Sequence, residues 1–114
     1  MTDAVKKRLH DALHACQAIQ KFTSEIDFAE YERNLMLRSA VERQLEIVGE
    51  ALGQAAQESE ALTEEIPSIP RIVALRNRVI HGYNSVDNEI VWDIVQTKVP
   101  PLMEQLNQVL GDKE

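Results

Sequence analysis

With 114 residues, the chain has room for one domain with a modest core. Hydrophobic residues make up 44% and aromatics 4%, which excludes a disordered chain and leaves core packing to aliphatic side chains. The net charge of −7, from 12 basic and 19 acidic residues, argues against a general nucleic-acid binder with a broad basic face.

Ala, Leu, Glu, Gln and Arg are all good helix formers and all plentiful, and no alternating β-branched run is long enough for a sheet. An all-α fold is expected. The first residues, MTDAVKKRLHDALHA, carry charges throughout and do not resemble a signal peptide. No apolar run reaches the roughly 18 residues that a membrane span requires. The lone Cys16 offers no internal disulfide and no zinc-type pair, which points to a reducing compartment. The expectation is a cytoplasmic protein with no membrane partner.

Residues 3–21 read as a first amphipathic helix, with Val5, Leu9, Leu13, Cys16 and Ile19 near helical spacing. Asp27 and Glu30 form a capping-box pattern that opens a second, long helix over residues 28–57. Its buried stripe is expected to be Tyr31, Leu35, Val41, Leu45, Val48, Leu52 and Ala55. Residues 58–67 read as a loop. Ser68 and Pro70 suit the start of a third helix, and Gly82 suits the position just past its end. Asp87 is placed to cap a fourth helix through residue 98, and Pro100 and Pro101 restart or kink the chain before a last segment ending near Gly111. Short connections then favour an antiparallel four- to five-helix bundle in a single domain over residues 1–114.

One segment departs from the acidic background. Between Ile66 and Val86 there is no Asp or Glu, yet Arg71, Arg76, Arg78 and His81 all fall there. Such a patch can attract an anion although the whole molecule repels it, giving weak, salt-sensitive affinity for nucleic acid. On a wheel at about 100° per residue, Ile69, Ile72, Val73, Val79 and Ile80 share one face and Arg76 falls in their midst. Arg71, Ala74 and Arg78 face away, while Asn77 and His81, four apart, share a flank. A guanidinium among aliphatic residues cannot shed its charge, so it needs a carboxylate, a phosphate or an interface. Either Arg76 pairs with an acid of the second helix such as Glu46 or Glu50, or its planar donors face a phosphate. His81, at a helix C-terminus beside two arginines, suits acid–base work near neutrality, or serves as a plain capping group. Asn77 either orients the imidazole or a phosphoryl oxygen, or simply faces solvent. Tyr83 lies just past the glycine, where its hydroxyl is directed outward or its ring packs at the rim.

The segment RNRVIHGY, residues 76–83, resembles the Arg-x4-His-x-Tyr motif of HepT-type toxins, a branch of the HEPN superfamily. IVGEAL, residues 47–52, resembles the Gly-Glu-Ala segment of that family's long second helix, and SVDNEIVWDIVQTKVPPL, residues 85–102, resembles its C-terminal helical segment with the Trp and the prolines. The three stretches stand in the family's order and span most of the chain. Many relatives carry a Trp shortly before the arginine motif, where this chain reads Pro67-Ser68-Ile69-Pro70.

The resemblance implies a HEPN-like helical bundle that acts as a homodimer, with the motifs of two protomers meeting at a shared cleft. It implies a type VII-like toxin that is a metal-independent endoribonuclease needing no cofactor and acting on cellular RNA, with tRNA a leading candidate. Arg76 would face the phosphate, His81 would transfer protons, and Asn77 would position one or the other. The partner would be an MNT-type nucleotidyltransferase antitoxin that transfers AMP from ATP to the motif tyrosine, here Tyr83. Two alternatives stand beside this reading. One is a HEPN module without catalysis, binding nucleotide, RNA or a nucleotidyltransferase. The other is a metal site at His10 and His14, four apart, with Cys16 nearby in sequence but on another face of the wheel.

Overall fold

The computed structural model describes residues 1–81 and 86–111, with residues 79–81 described by their backbone alone. Among the described residues seven helices follow one another: α1 (Asp3–Thr23), α2 (Phe28–Arg33), α3 (Leu35–Glu58), α4 (Leu62–Glu65), α5 (Ile69–His81), α6 (Asn88–Thr97) and α7 (Val99–Gly111). The all-α bundle expected from the sequence is present. Its centre is α3, along which both α1 and α5 pack; α7 joins α1 to α6, and α2 reaches across to α6.

α1 forms as its periodicity dictates. The Thr2 hydroxyl accepts a hydrogen bond from the Val5 N–H at 3.2 Å, and Val5, Leu9, Leu13, Cys16 and Ile19 are all buried. Asp27 and Glu30 make the expected capping box: the Asp27 carboxylate accepts from the Glu30 N–H at 2.9 Å, and the Glu30 carboxylate accepts from the Asp27 N–H at 3.3 Å.

The helix that follows is not the continuous one expected over residues 28–57. It breaks at Asn34, whose backbone is extended, with φ −109° and ψ 96°. The Asn34 N–H donates to the Tyr31 carbonyl at 3.2 Å, ending α2, while its side-chain oxygen accepts from the Leu37 N–H at 3.0 Å, capping α3. Asn does both because its short amide competes with the helical ladder. The break rotates the next residues outward. Leu35, expected in the buried stripe, is 68% exposed, and Met36 is 80% exposed. The rest of the stripe, Tyr31 and Val41 through Ala55, is buried as expected.

A second correction concerns residues 58–67. This segment contains the short helix α4, and Leu62 and Ile66 carry it into the core at 1% and 0% exposure. The fourth expected helix is α6, capped by Asp87, whose Oδ1 accepts from the Glu89 and Ile90 N–H groups at 2.9 and 3.4 Å. Trp92 fastens α6 to α2, with ring centroids 5.2 Å from Tyr31 and 6.2 Å from Phe28. Only Lys98 separates α7 from α6, and Pro100 and Pro101 sit in the first turn of α7, where missing N–H groups cost nothing.

The contact that positions the candidate site is the crossing of α3 and α5. A Cβ built on Gly49 would stand 2.7 Å from Arg76 Cγ, closer still to Arg76 Cβ, and 3.3 Å from the Ile72 carbonyl oxygen. Only a residue without a side chain lets the two helices approach this closely. One turn on, a Cβ at Gly53 would meet Val73 at an ordinary 3.4 Å, so the tight point is local to Gly49 and Arg76.

Two stability measurements check this packing by urea denaturation. Leu52→Ala, at a fully buried position, should destabilise the protein by about 2–5 kcal/mol, whereas Leu35→Ala should change stability by no more than about 0.5 kcal/mol. Gly49→Ala gains about 1 kcal/mol of helix propensity. It should nonetheless destabilise the protein, because overpacking costs about 1–3 kcal/mol and the atoms met belong to the base of the Arg76 side chain, not its flexible end. A stabilised Gly49→Ala variant would contradict the crossing.

Candidate active site

Over its described side chains α5 presents the faces that its sequence pattern predicts, while the side chains of Val79 and Ile80 lie outside the described residues. Ile69 is buried, Ile72, Val73 and Leu75 are half-buried, and Arg71, Ala74 and Arg78 face solvent. Arg76 lies on the inward side and is only 30% exposed. Its aliphatic stem rests against Gly49 of α3, so the guanidinium emerges from the α3–α5 seam at a fixed place. Nε is shielded from solvent and has no hydrogen-bond partner among the described residues.

The remaining guanidinium nitrogens have weak engagements. Nη1 donates to the Asn77 side-chain oxygen at 3.1 Å. Nη2 lies 4.0 Å from Glu50 Oε2, an ion pair beyond hydrogen-bond reach. Of the two acids expected to neutralise Arg76, Glu50 is therefore the partner. Glu46 is taken by Arg43, one turn away on the same helix, at 2.5 Å. Glu50 is 51% exposed. An exposed pair at this distance contributes on the order of 0–1 kcal/mol, which leaves the guanidinium easily drawn to a better anion. Its planar N–H fork matches phosphate geometry.

Asn77 is exposed and turns its amide to Arg76, so it braces the guanidinium. His81 is the last residue of α5, about one and a half turns beyond Arg76. Its imidazole, and the expected helix-ending Gly82 and outward Tyr83, lie outside the described residues.

The histidines of α1 stand side by side, ring centroids 6.1 Å apart, and no group of three His, Cys, Asp or Glu that could hold a metal ion occurs among the described residues. Cys16 is fully buried, and burial pushes its thiol up to about 12, so it is an inert core residue. None of the helices among the described residues is long and apolar enough to cross a membrane.

The sequence reading missed the role of Gly49. The signal was available: a glycine inside a long helix costs about 1 kcal/mol relative to alanine and marks a close approach. It also missed a cleft between α1 and α3, lined by Arg8, Arg43 and Glu50.

A family model described as Ribonuclease HepT-like matches residues 12–109. A Methanocaldococcus jannaschii protein named as a candidate RNase is 36% identical over 107 residues, which cover 92% of this chain and 95% of that protein. A second protein of the same organism, also named as a candidate RNase, is 31% identical over 112 residues, covering 96% of this chain and 90% of that one. A Thermococcus cleftensis protein, named Probable ribonuclease HepT, is 34% identical over 97 residues, covering 85% of this chain and 87% of its own length. No solved structure matches the chain. The matched region contains α3 and α5 entire, the Gly49–Arg76 crossing and the segment through Tyr83, and the chain belongs to the HepT-like ribonuclease family.

Proposed function

We propose that this chain is the toxin of a HEPN/MNT toxin–antitoxin pair, a metal-independent endoribonuclease that works as a homodimer on cellular RNA, with tRNA the leading substrate class. The observation that carries the proposal is Arg76: its stem is seated on Gly49, and its guanidinium is braced by Asn77 and only loosely neutralised by Glu50. Family membership supplies the reaction class.

RNA contains its own nucleophile, the 2′-OH next to each phosphate. His81 takes the 2′-OH proton as the oxygen attacks phosphorus. Arg76 faces the non-bridging oxygens, where negative charge grows. The bond to the 5′-oxygen breaks, that oxygen receives a proton, and a 2′,3′-cyclic phosphate remains. DNA lacks the 2′-OH and is not a substrate. In a homodimer, the apolar neighbours of Arg76 pack at the seam and two arginine patches double the local positive field.

Control would come through Tyr83. An MNT-type nucleotidyltransferase antitoxin transfers AMP from ATP: the phenolic oxygen attacks the α-phosphorus, pyrophosphate leaves and the phenolic proton is released. The adduct places a bulky anion two residues from His81, which competes for the arginines and blocks RNA.

Expression without the antitoxin should arrest growth, and the purified protein should cleave RNA undiminished by EDTA. Arg76→Ala and His81→Ala should each lower cleavage by about 10²-fold or more. If the wild type and both variants are equally harmless and leave RNA intact, the chain is a binding module and the nuclease reading is wrong. Incubation with the cognate nucleotidyltransferase and ATP should add the mass of AMP to the peptide containing Tyr83. An equal gain in Tyr83→Phe would reject that site.

A further inference from the structure

Between α1 and α3 lies an open cleft of about 410 Å³ that the reaction described above does not use. Its size falls in the range of small-ligand sites. Its lining includes the apolar Ile47 and Ala51 together with Gln44 and Gln54, whose side chains are amides. Arg8 from α1 and Arg43 from α3 supply positive charge. Two carboxylates also line it, Asp11 and Glu50. Asp11 is engaged by Lys7 at 3.2 Å, and Glu50 reaches outward to Arg76. Arg43 is paired with Glu46, whereas Arg8 has no ion pair among the described residues, and its Nε is shielded from solvent without a hydrogen-bond partner.

Glu50 connects this cleft to the candidate active site, since it lines the cleft and is also the carboxylate facing Arg76. We propose that the cleft is a subsite for one unpaired nucleotide of the RNA strand flanking the scissile phosphate. The inference rests on the ribonuclease reading and extends it to a second site on the same surface. Sequence-selective RNA binding splays a base out of the strand, rests its face on apolar atoms or an arginine plane, and reads its edge with hydrogen bonds. The cleft's lining holds a residue type for each part: apolar Ile47 and Ala51, the arginine Arg8, and Gln44 and Gln54, whose amides can both donate and accept. The arrangement also fits an acidic protein. With a net charge of −7, the chain must hold RNA through local contacts, and Arg8, Arg43 and Arg76 bring cations from three helices to the two sides of Glu50.

The test compares a single-stranded RNA oligonucleotide with a dinucleoside monophosphate, each cleaved by the full-length protein. Arg8→Ala and Gln44→Ala should raise KM for the oligonucleotide by about tenfold or more while leaving cleavage of the dinucleoside monophosphate unchanged. The preference among bases flanking the cut should also flatten. Gln44→Ala guards against a folding defect in Arg8→Ala, and thermal melting of each variant identifies one. Equal losses on both substrates, or none on either, overturn the subsite while sparing the ribonuclease. A change of sedimentation mass in both variants, in step with lost activity, also overturns it, since the cleft would then hold a second copy of the chain. A wild type that cleaves neither substrate brings down the ribonuclease reading, and the subsite with it.

Discussion

The contact between Gly49 and the stem of Arg76 sets the geometry on which the candidate site depends. With no Cβ on α3 at this point, α5 approaches until the base of the Arg76 side chain occupies the vacated space. An arginine has many rotamers, and ordering it costs up to about 2 kcal/mol. Here much of that ordering is done by packing of the stem, so the charged end is presented without further restriction. A helix interior is an unfavourable place for glycine, and the closeness of α3 and α5 offsets that loss.

Electrostatics then determines what the positioned guanidinium can do. A fully buried arginine would need a tight carboxylate partner, because an unpaired buried charge is too costly. Arg76 is only partly covered, and its carboxylate is exposed and 4.0 Å away. Such a pair is weak, and a phosphate offering a bidentate partner would compete with it. The acidic surface around it has a corresponding consequence: an RNA held by few phosphate contacts would bind weakly, and the steepness of its salt dependence would follow the number of those contacts. The family to which the chain belongs, the positioned arginine and the cleft beyond Glu50 fit one another on these terms.

Much of the fold was legible because helical periodicity and caps are local signals. The stripe of α1, the Asp27–Glu30 capping box and the Asp87 cap each follow from neighbours a few residues apart, and each is found where expected. The break at Asn34 was not legible, because the spacing from Tyr31 to Leu35 continues the apolar period through it. Only the switch of Asn34 from helix interior to cap shows that Leu35 turns outward. α4 escaped for the opposite reason: four residues are too few to display a period, although Leu62 and Ile66 enter the core. In the site, the anomaly of Arg76 was visible on a helical wheel and its partner Glu50 was one of two acids in reach. The choice between Glu50 and Glu46 depended on the crossing of α3 and α5, a tertiary fact, as did the meaning of Gly49.

Whether Arg76 is an ion-pair residue or a phosphate ligand can be decided by the salt dependence of RNA binding. The dissociation constant of a single-stranded RNA that cannot be cleaved, with deoxyribose at the scissile position, is measured across a range of salt for the wild type and Arg76→Ala. If Arg76 contacts a phosphate, the slope of log affinity against log salt should become shallower by about 0.7 per site in the variant. An unchanged slope, together with lowered stability, would mean that Arg76 serves only its contact with Glu50, contradicting its role in binding RNA.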